Sequence, residues 1–195
     1  MDVSMPISSV IPSLDGPVLA FLSATTRPTG LAEIHQRVGK GSKSGIRRVL
    51  LRLVATGLVN EVPGGYTLNR QHLAAPAVEI LAAMHGELIR RIRSFVNNWN
   101  VDISLVGLFG SAARRDGNSA SDIDVLIVSE SEELTNFRDQ LANQIRSWTG
   151  NRAQVIAIPN LEFQRLRKVE ESIVTNWEKE LVVISGDIRA LRRVM

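Results

Sequence analysis

Asp122 and Asp124 stand one residue apart at the head of an apolar run, in the stretch LFGSAARRDGNSASDIDVLIV over residues 108–128. Side chains alternate across a strand, so a strand starting here projects both carboxylates from one face. Two neighbouring carboxylates repel each other unless a cation sits between them. Hard oxygen ligands of this kind suit Mg²⁺, which takes one or two carboxylates and completes its shell with water and substrate phosphates. Gly110 and Ser111 precede the pair across a polar loop of ten residues. Glycine lets the backbone approach a phosphate closely, and successive amides at such a bend can point at one. The combination predicts a metal–nucleotide site.

The elements that must hold these residues are legible as apolar runs. Strands are expected at Ile103–Phe109, Asp122–Val128 and Ala153–Ile158, with a last apolar segment at Leu181–Ile184 before Gly186. Leu134, Phe137, Leu141, Ile145 and Trp148 mark an amphipathic helix from about Glu132 to Trp148. Leu161–Lys168 and Glu171–Glu180 read as further helices, and Asp116-Gly117-Asn118-Ser119 as a turn-rich loop over the site. The fold class is α+β.

Gly-Ser, ten residues, then Asp-Ile-Asp-Val resembles the signature of the nucleotidyltransferase superfamily related to DNA polymerase beta. The Gly-Ser-x-x-Arg form, met by Gly110, Ser111 and Arg114, is similar to its minimal nucleotidyltransferase branch. The resemblance covers about residues 100–186. It implies a small mixed sheet, a Gly-Ser turn that holds a triphosphate, and Asp122 and Asp124 as catalytic ligands of two Mg²⁺ ions; Arg114 or Arg115 can bind the triphosphate as well, or Arg115 is simply solvated. It also implies a third carboxylate on the following strand that activates the acceptor hydroxyl. The register places Gln154 at that position, and the strand Ala153–Ile158 has no acid. An amide cannot take a hydroxyl proton. Glu162 follows in the next turn, a poor geometric substitute. Two readings stay open: transfer of NMP from an NTP to a hydroxyl without this base, or nucleotide binding without turnover. Transfer of this type rests mostly on positioning and electrostatics, so losing a base need not abolish it.

The 195 residues carry no cysteine, which excludes disulfides, thiolate nucleophiles and cysteine-based zinc sites. His35, His72 and His85 lack metal-ligand spacing. No apolar run is long enough to span a bilayer, and the first residues do not read as a secretory signal, so a cytoplasmic chain with a flexible leader over 1–14 is expected. Charge is uneven: residues 1–100 carry +5 and residues 101–195 carry −2. That asymmetry points to an acidic partner for the first half.

The first half has the organisation of a winged helix-turn-helix over 15–72. Helices are expected at Gly16–Ala24, at Leu31–Val38 ended by Gly39, and from a Ser42 cap to about Thr56. Strands are expected at Leu58–Val62 and Tyr66–Leu68. This order is similar to the DNA-binding domains of many small prokaryotic repressors. Basic residues gather on the third helix. Lys43, Ser44, Arg47 and Arg48 are the candidates for base edges of double-stranded DNA, and Lys40 and Arg52 for phosphate. A single long helix from Pro76 to about Asn98, within a linker at 73–99, carries Val78, Leu81, His85, Leu88, Ile92, Phe95 and Trp99 at heptad spacing. That seam can pair two copies into a homodimer, or pack on the chain's own domain over 100–195. The expected function is a Mg²⁺-dependent nucleotidyltransferase-like protein with a DNA-binding winged helix. The alternatives are a DNA-binding regulator with a nucleotide-sensing, degenerate transferase domain, or an antitoxin-type module.

Overall fold

The computed structural model describes residues 1–99, 102–131, 133–169 and 171–187. The chain divides into two compact units, Met5–His85 and a second made of Met1–Ser4 with the chain from Gly86 onward.

In the first unit a 3-10 turn at Pro6–Ser9 precedes α1 (Asp15–Ser23), α2 (Leu31–Val38) and α3 (Lys43–Ala55). The antiparallel hairpin β1 (Val59–Val62) and β2 (Gly65–Leu68) and then α4 (Ala75–Ala82) follow. The Ser42 side chain accepts from the Gly45 amide and caps α3 as its sequence predicts. Gly39, left-handed at φ 64°, ends α2. Tyr66 exchanges backbone hydrogen bonds with Thr29, so the segment before α2 lies against β2. Ile34, Ile46, Leu50, Val18 and Leu22 form the centre of this core.

The second unit is built on a mixed four-stranded sheet, ordered β5-β4-β3-β6, formed by β3 (Ile103–Phe109), β4 (Ile123–Ser129), β5 (Ala153–Ile158) and β6 (Val182–Gly186). β3 runs antiparallel to β4 and β6, and β5 parallel to β4. A parallel neighbour requires a crossover, supplied by α7 (Leu134–Thr149). Alternation along the strands makes two cores. Val106, Leu108, Ile123, Val125 and Ile127 face α5 (Met84–Asn97) and α7 through Leu88, Ile92, Val96, Phe137 and Leu141. Leu105, Leu126 and Val128 pack instead with Phe163 of α8 (Asn160–Lys168) and with Val174 and Trp177 of α9 (Ser172–Glu180).

Three expectations are corrected. The leader over 1–14 is packed: Val3 and Ile7 are buried, each in the core of its own unit, and the Met1 ammonium donates to the Thr149 carbonyl and to Asn151 Oδ1. The helix expected from Pro76 to Asn98 is two helices that part at Ala83. Its apolar stripe is used within the chain, because Val78 and Leu81 belong to the first core while Leu88, Ile92, Phe95 and Trp99 belong to the second. Residues 110–114, read as bend and loop, wind into a helical turn, α6 (Gly110–Arg114). Of the amphipathic helix expected from Glu132, that first residue lies outside the described residues, and α7 starts at Leu134.

Because Ile92 is fully buried in its own unit, Ile92→Ala should lower unfolding free energy by about 2–5 kcal/mol. Denaturant and thermal scans should give midpoints independent of protein concentration. A midpoint that rises with concentration would mark the stripe as a dimer seam instead.

Candidate active site

The end of β3 and the start of β4 are paired, Phe109 opposite Asp124, so the chain that leaves β3 at Gly110 turns directly beside the acid. Gly110 has φ 64°, and a Cβ built on it would overlap Asp124 Oδ2. The left-handed backbone favours glycine there, and any side chain would push the Asp124 carboxylate out of its place. Asp124 lies on the strand face that carries Leu126 and Val128, the α8–α9 side of the sheet. Asp122 precedes β4 by one residue, and both aspartates are half-buried.

The two carboxylates feel each other. Burial pushes the Asp124 carboxyl above the usual aspartate range, the charge of Asp122 pushes it further, and Arg114 draws it back. Neither carboxylate takes a hydrogen bond or an ion pair from a described residue. A half-buried, self-repelling pair that Arg114 offsets only from a distance suits a divalent ion. No group of three acids or histidines able to hold a metal occurs among the described residues. Further ligands would have to be water and phosphate oxygens, the habit of Mg²⁺.

Arg114 is exposed but engaged. Its Nε donates to Asp116 Oδ2 at 2.9 Å and its Nη1 to Glu180 Oε2 at 2.6 Å, which ties the site loop to the end of α9. Both bonds hold its guanidinium further into the charged range. Ser111 lies half-buried at the start of α6, and its hydroxyl and that of Ser121 converge on Gly117. Gln154 of β5 stands in register with Asp124, on the same face and exposed, so the position where the resemblance implies an acid holds an amide. Glu162 is turned to Arg165, which holds its carboxyl low.

Sequence reasoning missed Asn151. It is buried, and its Nδ2 donates to the carbonyls of Met1, Ser119 and Ser121 while its Oδ1 accepts from the Met1 ammonium. The residue fixes the loop that delivers Asp122. Its only sequence signal is the turn pair Gly150-Asn151, and its partners lie 30 and 150 residues away. Glu180 was read only as a helix end, since nothing local ties it to Arg114.

A family model described as "Nucleotidyltransferase domain" matches residues 89–186. The chain belongs to the nucleotidyltransferase domain family. No curated protein sequence matches it. Among solved structures, one described as a toxin-antitoxin with AMP-PNP shares 16% identity over 53% of this chain and 77% of that chain, with a TM-score of 0.41. The toxin-antitoxin MntA-HepT shares 15% identity over 55% and 77%, with a TM-score of 0.38. The tri-AMPylated Shewanella oneidensis HEPN toxin in complex with MNT antitoxin shares 17% over 55% and 76%, also with 0.38. In this nucleotidyltransferase domain the matched segment contains both aspartates, the Gly110 turn and Gln154.

The basic candidates lie in the other unit. Lys40, Lys43, Ser44, Arg47 and Arg48 are all exposed at and along α3. Arg52 instead pairs with Asp15 at the start of α1. No helix among the described residues is long and apolar enough to cross a membrane.

The pair at 122 and 124 makes a signed prediction. A carboxyl raised in the folded state contributes stability below its unfolded pKa and loses it as pH rises through the folded value. In EDTA at pH 7, Asp124→Asn should therefore raise Tm, and the gain should vanish as pH falls into the acid range. Added Mg²⁺ should raise the Tm of the parent and not of Asp124→Asn, as calorimetric scans would read.

Proposed function

We propose that the chain is a Mg²⁺-dependent nucleotidyltransferase that moves an NMP from an NTP to a hydroxyl acceptor, and that its first unit is a winged helix that binds double-stranded DNA. The observation that carries the enzymatic reading is the half-buried, mutually repelling carboxylate pair set against the Gly110 turn. Asp122 and Asp124 would hold the metal, which when bound neutralises charge on the phosphates. Gly110 and Ser111 bring backbone amides close to that point, and Arg114 can exchange its exposed partners for a phosphate. The acceptor oxygen bonds to the α-phosphorus, the bond to the bridging oxygen breaks, and pyrophosphate leaves. The hydroxyl proton goes to water, because Gln154 cannot take it.

Gln154 also favours a second reading, a nucleotide-sensing regulator or antitoxin-type module that binds the nucleotide and leaves it intact. The DNA-binding reading is supported by three helices followed by a hairpin, with the segment before α2 laid against β2. It is also supported by the exposed basic row on α3.

Calorimetry with each of the four NTPs should show binding that requires Mg²⁺ and is lost in Asp122→Ala/Asp124→Ala. The parent should transfer label from α-labelled NTP, and Gln154→Asp should raise the rate by about 10²-fold or more by restoring a base. Mg²⁺-dependent binding with no label transfer and no pyrophosphate would select the sensor.

DNA affinity should fall with salt at about 0.9 log units per log unit for each phosphate contacted. Lys43→Ala/Arg47→Ala should weaken DNA binding, and salt-independent binding would refute this part.

A further inference from the structure

A cleft of about 310 Å³ opens between α5 and α7, lined by Arg90, Arg91, Ser94, Phe95, Asn98 and Trp148. It lies on the sheet side covered by α5 and α7, whereas Asp124 lies on the α8–α9 side, so it does not serve the acidic pair. Helical spacing puts Arg90, Ser94 and Asn98 in one row and Arg91 and Phe95 in the next. The lining combines guanidinium groups, half-buried aromatic rings and neutral hydrogen-bonding groups, and contains no acid.

The arginines are already aimed. Glu87, one turn earlier, accepts from Nε and Nη2 of Arg90 at 2.6 Å each and from Nε of Arg91 at 2.8 Å. These contacts hold the Glu87 carboxyl down at about 2. They leave Nη1 of Arg90 and both Nη groups of Arg91 without a described partner, so Glu87 orients the two forks without using them up. The Arg91 guanidinium also sits over the Trp148 ring, 6.0 Å from its centroid, and Phe95 meets that ring edge-on at 6.5 Å. Phe95 and Trp148, both half-buried, thus line the cleft beside the guanidinium of Arg91.

We propose that this cleft binds one nucleotide unit, with its base on Trp148, its edge toward Ser94 and Asn98, and its phosphate on Arg90 and Arg91. A flat π surface beside paired guanidinium groups is the recognition chemistry of unstacked nucleotides. An acidic peptide satisfies the arginines alone and leaves the indole unused. A free nucleotide and a single-stranded RNA offer the same chemistry, and the site is independent of whether the acidic pair catalyses transfer.

The test uses the full chain carrying Lys43→Ala, Arg47→Ala and Arg48→Ala, in EDTA, so that neither α3 nor the acidic pair contributes. Probes are a fluorescein-labelled RNA of about ten nucleotides, read by anisotropy, and AMP, read by calorimetry. Arg90→Ala/Arg91→Ala should weaken RNA binding tenfold or more and flatten the log–log salt slope by about 0.7, the share of one phosphate on a single strand. Trp148→Leu should weaken it by about 5- to 150-fold, and Trp148→Phe should retain most of it. AMP binding lost in the same variants identifies a free-nucleotide site, and RNA binding with no AMP binding identifies a single-strand site. Parent-like affinity for both probes in the arginine double variant and in Trp148→Leu overturns the proposal. So does a glutamate-rich peptide that competes with RNA at equal strength.

Discussion

Two carboxylates stand at the start of the interior strand β4 in the nucleotidyltransferase domain, and the fold holds them there against their repulsion. Much of the surrounding structure acts as scaffold for that placement. Pairing of Phe109 with Asp124 brings the end of β3 beside the acid. Gly110 removes the side chain that would otherwise displace it. Asn151 gathers the loop carbonyls that lead into Asp122. Burial and the neighbouring charge of Asp122 together raise the Asp124 carboxyl, and Arg114 offsets them only in part.

The sheet divides the labour. One face is closed by α8 and α9, whose last residue Glu180 reaches Arg114 beside the site. The other face is closed by α5 and α7, where Phe95, Trp99, Phe137 and Trp148 make a connected aromatic group whose outer edge carries arginine. The Met5–His85 unit has its own core and its own concentration of exposed basic residues on α3. Arg90, Arg91 and Arg93, which add to the positive half of the sequence, belong to the second unit, so the charge contrast between the halves does not follow the boundary between the units.

Much of this was legible residue by residue. Strand ends at 103–109 and 153–158, the Ser42 cap and the Gly39 stop follow from short-range rules, and the structure keeps them. The resemblance pointed to Gln154 at the position of a third acid, but its pairing with Asp124 came only from the sheet. The failures came where local signals were absent or ambiguous. Nothing in Ala82-Ala83-Met84 announces a break, since alanine and methionine favour helix, yet α4 and α5 part there. The leader's apolar residues are interrupted by serines and prolines and follow neither a helical nor a strand period, which concealed that Val3 and Ile7 are core residues.

By itself the sequence determined the chemistry on offer: an acidic pair, a glycine that the backbone can approach, an amide where an acid was expected, and a basic helix. Those are properties of residue type and short spacing, which survive any arrangement of the chain. Tertiary structure decided which groups are already spoken for. Arg114 is bound by Asp116 and Glu180, Arg52 by Asp15, and the heptad stripe by two separate cores. Partners of that kind are chosen by distance in space, and only the folded chain brings residues 114 and 180, or 151 and 1, within reach of a hydrogen bond.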